Sequence, residues 1–317
     1  MSQKPEGSET MTRLIAALLI SQILLLCAFA WPATRSAPHR VPLALAGQPE
    51  AIAGLKQKIS HDPSHSFEVV PAVDRATATQ LVMERKAYGA LIIDQEGATL
   101  EIASGASPTI SSALQNVLAP AIRSALPAGM NLQINDLTPN LVKDPHGVGI
   151  ASSLIPLIIT SIGFGSLIGL RRGQRFKAIA DVITFALGAG LVATWTLQSF
   201  LGVIAGSFFN NFLVIFLGVL AMALLTLGFI SLHGLRGIPT SFVVILILGF
   251  PLSGALGARE LLPTPWGTFG SWLPPGAFNS ALRSSSFFDL AGSTRDLSVL
   301  ILWALIGVGL TFAPEKS

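Results

Sequence analysis

Charge is what this sequence has least of. Only 12% of its 317 residues are Asp, Glu, Lys or Arg, about half the roughly 25% of a soluble domain. That is too little to cover an ordinary water-facing surface. The net charge is +3, with no long cationic run, which argues against nucleic acid as a partner. Cysteine is nearly absent. Cys27 stands alone, so neither an intrachain disulfide nor a cysteine-based zinc site can form. The five histidines are scattered. His61 and His65 are four apart, but Pro63 and the two serines around them read as a solvated turn. Catalytic signatures are missing as well. There is no G-x-x-x-x-G-K-[ST], no G-x-S-x-G and no H-E-x-x-H. The chain therefore has no P-loop for ATP, and neither an enzyme activity nor a cofactor is expected.

What the sequence has is apolar length. Half of it (51%) is hydrophobic, and the mean hydropathy is +0.64. Val148–Leu170 carries no charge, and Ala178–Phe200 carries only Asp181. Each is about as long as the ~20 residues a helix needs to cross a bilayer. Between them lie Arg171, Arg172, Arg175 and Lys177 with no anion, a positive-inside signal. The loop is thus expected in the cytoplasm, and it orients the other spans. Phe212–Leu232 returns inward, Arg236 marks a second inner loop, Thr240–Leu256 crosses outward, and Leu297–Phe312 is the last span.

At the start, Leu14–Trp31 is apolar except for Ser21 and Gln22. Ala28-Phe29-Ala30 fits a signal-peptide cleavage pattern, but the stretch exceeds the usual 7–15-residue signal core, which favours an anchor. The expected fold is an α-helical integral membrane protein of six spans with both termini cytoplasmic. Residues 1–31 form the N-terminus and helix 1, 32–147 an extracytoplasmic α/β domain, and 148–317 helices 2–6. Within the α/β domain, Val41–Leu45, Phe67–Val73, Ala90–Ile93 and Ala98–Ala103 read as strands. Glu50–Ile59, Asp74–Lys86 and Pro108–Leu126 read as helices. Pro120 kinks the last of these, whose inner side is expected to carry Ile110, Leu114, Val117, Leu118, Ala121 and Ile122.

Three features bear on function. Asp181 is the one acid within a span. It lies one helical turn past Lys177 and is expected to pair with it. Gly165/Gly169 and Gly202/Gly206 have the spacing that lets helices approach closely. Pro274-Pro275-Gly276 breaks the long outer loop Ala258–Asp296, and Ala277–Phe288 then forms a short interfacial or re-entrant helix. Phe278, Ala281, Leu282 and Phe288 make its stripe, with Arg283 off it.

The layout of one helix, a large outer α/β domain and five further helices resembles the membrane subunit of type-2 ATP-binding-cassette (ABC) transporters. The likeness is strongest to the phage-infection-protein-like branch. Tyr88-Gly89-Ala90-Leu91-Ile92-Ile93-Asp94 is similar to a strand of those outer domains. Trp272-Leu273-Pro274-Pro275-Gly276-Ala277, with Ala281-Leu282-Arg283 and Phe287-Phe288, is similar to the segment before the last helix. The resemblance implies a dimeric permease in the plasma membrane, surrounded by lipid and driven by a separate ATPase subunit. It assigns Arg171–Lys177 to the loop that meets the ATPase, and the substrate to hydrophobic or amphipathic molecules. The alternative is a non-transporting membrane protein whose outer domain binds a surface partner or acts in assembly.

Overall fold

The computed structural model describes residues 6–47, 66–94, 97–126, 130–171 and 173–314. Four helical runs among them are long and apolar enough to cross a membrane: Gly149–Gly169, Arg175–Phe200, Phe208–Gly249 and Thr294–Phe312. A five-stranded mixed sheet precedes them in the chain.

Helix α1 (Glu6–Thr34) contains the shorter apolar stretch Leu19–Trp31 and leads into β1 (Val41–Gly47). Then come β2 (Phe67–Pro71), α2 (Arg75–Met83), and the β3 (Gly89–Asp94) and β4 (Gly97–Ile102) hairpin. Next are α3 (Pro108–Ala113) and α4 (Ala119–Ala125), joined by a π-helical turn, and last β5 (Leu132–Asp136). The strand order is β2-β1-β3-β4-β5. β1 runs parallel to both its neighbours, β3 and β4 are antiparallel, and β5 is parallel to β4.

Side-chain parity sorts the core into two layers. Leu43, Leu45, Leu91, Leu100 and Ile102 pack with Ile110, Leu114 and Ile122 of the α3–α4 stretch. Ala44, Ala46, Ala90 and Ile92 face the other way, onto Ala78 and Val82 of α2 and onto Phe288. Helices on both faces explain why β3 reads as an unbroken apolar run. Local signals set the helix starts. The Asp74 carboxylate accepts from the Thr77 amide, and the Ser107 hydroxyl from that of Ile110.

Two expectations for this region change, and a third is untested. Val117 is 70% exposed, because the π-helical turn Leu114–Leu118 ahead of Pro120 rotates it off the buried face. β5 was not anticipated, since an edge strand with three exposed positions leaves little alternation to read. The helix expected at Glu50–Ile59 lies outside the described residues.

The remaining helices pack around α7 (Phe208–His233), which opens the most buried of the four membrane-length runs. α5 (Gly149–Gly169) and α6 (Arg175–Thr194, continued by a π-helical segment to Phe200) lie on it. So do α10 (Pro274–Phe287) and α11 (Thr294–Phe312). Glycine makes these contacts close. A Cβ on Gly165 would stand 2.6 Å from the Ala223 carbonyl oxygen, and one on Gly228 2.6 Å from that of Gly307.

The long run Phe208–Gly249 is not one rod. Gly234 takes φ 60°, and α8 (Gly237–Ser241, continued as a π-helical segment to Gly249) folds back on α7. A Cβ on Gly237 would lie 2.4 Å from the Phe229 backbone. Gly202 and Gly206 are not helix-packing residues as their spacing implied. They sit in the loop after Phe200 with φ 65° and 79°, values that favour glycine.

Candidate functional site

α10 is the element from which the site is built. Leu273 precedes it in extended conformation, and Pro274 and Pro275 open it, where their missing amides cost nothing. Gly276 lets it press on α9 (Trp266–Ser271), since a Cβ there would meet the Gly270 carbonyl oxygen at 2.2 Å. Twelve of its fourteen residues are buried. α10 is an interior helix, covered on its polar side as well as on its apolar one. The apolar side (Ala277, Phe278, Ala281, Leu282) belongs to the helical core, with the Phe278 ring against Gly218 of α7.

The polar side is tied both to the sheet domain and to the bundle. Arg85, at φ 59° just beyond α2, donates to the Ser280 carbonyl at 2.8 Å and to the Ser284 hydroxyl. Its guanidinium stands 5.6 Å from the Phe288 ring centre. The Ser285 hydroxyl donates to Asn211 Oδ1 at 2.6 Å, and Asn211 Nδ2 donates to the Ala205 carbonyl and to Gln198 Oε1. Arg283, expected off the stripe, is only 4% exposed and donates to the Gly105 carbonyl at 3.4 Å.

A cavity of about 390 Å³ opens at this junction, within the roughly 300–1,000 Å³ range of ligand pockets. The sheet domain, α10, the start of α11 and the 253–260 loop all wall it. Arg85, Lys86, Arg259, Arg283 and Arg295 line it, against two carboxylates, Glu260 and Asp296. Both carboxylates are engaged. Glu260 accepts from Arg259 Nε and from the Tyr88 hydroxyl, each at 2.6 Å, and Asp296 accepts from Ser280.

Burial pulls the Arg85 guanidinium below its ordinary pKa. Burial, with Arg85 nearby, pulls Arg283 down to about 10, so it keeps its charge at neutral pH. Burial and the Glu260 carboxylate push Tyr88 up, so it acts as a hydrogen-bond donor. A second cavity of about 500 Å³ adjoins the first and shares Arg259, Glu260, Ser271 and Arg295 with it. The half-exposed Trp272 lines it, with the Arg295 guanidinium 4.7 Å from the ring centre.

The residues singled out in the sequence lie elsewhere, except those of α10. Arg171 is exposed after α5, and Arg172 lies outside the described residues. Arg175 and Lys177 are not loop residues: they belong to the first turn of α6. Cations are unfavourable at a helix N-terminus, and each has an acceptor that offsets this. Arg175 donates to the Phe312 carbonyl at 2.9 Å, at the negative end of α11. Lys177 pairs with Asp181 at 3.0 Å. Among the described residues, no cluster of three or more His, Cys, Asp or Glu could hold a metal. Sequence reading passed over Arg85, Asn279, Arg295 and Asp296. They come from segments up to some two hundred residues apart, and no local motif joins them. No family model matches this chain, and no curated protein does.

Proposed function

We propose that the chain is the membrane-spanning permease subunit of an ABC-type exporter. It would move a hydrophobic or amphipathic molecule with energy from a separate ATPase. In this reading α1, α5, α6, α7, the fold-back arm from Gly237 and α11 make six crossings, with both termini in the cytoplasm. The sheet domain stands outside, between the first crossing and the second. Copies associate as a dimer within the plasma membrane.

The observation that carries the reading is the shared wall of the junction cavity. Sheet-domain residues and bundle residues line it together, and α10 is bonded to both parts. A change in helix packing would therefore reach the cavity and the outer domain at once, as an externally driven pump requires. The chain has no P-loop, so force must enter from a partner, through the 171–177 turn or the one at 233–237. Arg175 is already committed to α11, which leaves Arg171 and Arg172 to meet acidic groups of an ATPase.

The test is purification of the full chain from its native membrane under mild detergent. An ATPase subunit is expected to accompany it, and the Arg171→Gln/Arg172→Gln variant is expected to lose it while still inserting correctly. If no ATPase accompanies the wild-type chain or is stimulated by it, the export reading falls, and a docking or assembly role for the outer domain replaces it.

A further inference from the structure

Two buried polar atoms on α10 are without partners. Among the described residues Arg283 Nε and Asn279 Oδ1 make no hydrogen bond, although their residues are only 4% and 5% exposed. The two residues are four apart on one helix, hence on one face, and both line the junction cavity. Asn279 Nδ2 points at the Ser253 carbonyl, 3.4 Å away, which leaves Oδ1 as a free acceptor. Arg283 Nε is a free donor. Buried polar groups in native proteins are almost always satisfied, and an occupant that brings both an acceptor and a donor suits this face.

The charge balance identifies the acceptor. With Glu260 and Asp296 engaged, Arg85, Arg283 and Arg295 form no ion pair among the described residues. The Asp296 carboxylate attracts Arg85 and Arg295, but five cations against two carboxylates leave the cavity with excess positive charge, which a further anion would relieve. A phosphate, with several acceptor oxygens, suits forked donors arriving from three directions. The donor is then a hydroxyl on the same ligand, near enough to the phosphate to reach Asn279. The adjoining cavity extends the site toward the exposed Trp272. Such an aromatic favours the boundary between water and lipid, and an apolar tail can leave along it.

We propose that the junction cavity binds a hydroxylated phosphate, such as a glycerophosphate headgroup. Arg283 and Arg295 hold the phosphate, and Asn279 holds the hydroxyl. The inference rests on the cavity and holds whether or not the chain transports. Phosphatidylglycerol and free glycerol 3-phosphate present the same chemistry, and the test separates them.

The full chain in detergent micelles is titrated with phosphatidylglycerol, with phosphatidylcholine, or with sn-glycerol 3-phosphate. Binding is read by native mass spectrometry and by thermal midpoint. Phosphatidylglycerol is expected to bind in preference to phosphatidylcholine. Arg283→Gln, Arg295→Gln and Asn279→Leu are each expected to weaken it at least tenfold, while Arg236→Gln leaves it unchanged. Protection by sn-glycerol 3-phosphate alone, lost in the same variants, would support the site with a soluble ligand as its source. Equal binding of both lipids with no effect of glycerol phosphate would overturn the proposal. So would phosphatidylglycerol binding that survives all three substitutions. If Arg283→Gln fails to fold, Arg295→Gln and Asn279→Leu decide the matter.

Discussion

Two glycines two residues apart on α11 should respond oppositely to the same added methyl group. A Cβ on Gly307 would lie 2.4 Å from the Leu224 carbonyl carbon and 2.6 Å from the Leu225 amide nitrogen. Ordinary contact is about 3.5–4.0 Å. The obstacle is backbone, which cannot rotate away, so α7 and α11 must separate by roughly 1 Å. Gly228 faces the same contact from α7, with a Cβ 2.6 Å from the Gly307 oxygen. A Cβ on Gly309 meets nothing within 4 Å.

Replacing glycine by alanine in a helix interior gains about 0.8–1.0 kcal/mol of propensity at either position. Gly309→Ala should keep that gain. Gly307→Ala should also bear an overpacking cost of about 1–3 kcal/mol, and that cost is the expected difference between the two variants. The assay is thermal unfolding of the full chain in one detergent, followed by circular dichroism. Gly309→Ala is expected at or above the wild-type midpoint, and Gly307→Ala below it. Equal midpoints for the two variants would refute the backbone-to-backbone packing of α7 on α11.

Asn211→Ala should lower stability by about 1–3 kcal/mol by stranding the buried Ser285 hydroxyl; a loss below about 1 kcal/mol in the same unfolding assay would argue against the network. Lys177 and Asp181 are 71% and 37% exposed as a pair, so Asp181→Asn should change stability by no more than about 0.5 kcal/mol. Loss of function in that variant at unchanged stability would mark Asp181 as more than a helix-end partner. In a Cys27→Ser background, cysteines at Gly173 and Leu235 should be protected from an impermeant reagent in intact cells, and one at Gln133 should react. Labelling at Gly173 from outside would reverse the proposed orientation.

The sequence alone carried what depends on near neighbours in the chain. Apolar runs without charge give the long helices, because a helix satisfies its own backbone and needs only length and hydrophobicity to suit a membrane. Asp74 and the strand Ala90–Ile93 were legible for the same reason, since a cap and a two-sided burial pattern are written within a few residues. The Lys177–Asp181 pair is likewise fixed by helical spacing. Tertiary structure decided the rest. α10 has an amphipathic stripe in sequence, but its polar side became interior only because Arg85, about two hundred residues earlier, came to lie over Ser280 and Ser284. Gly202 and Gly206 share the spacing of Gly165 and Gly169, and backbone torsion rather than spacing separates turn from packing stripe. The arginine-lined cavity exists only where the sheet domain meets the bundle. Its charges come from distant segments, and no local pattern records that they converge.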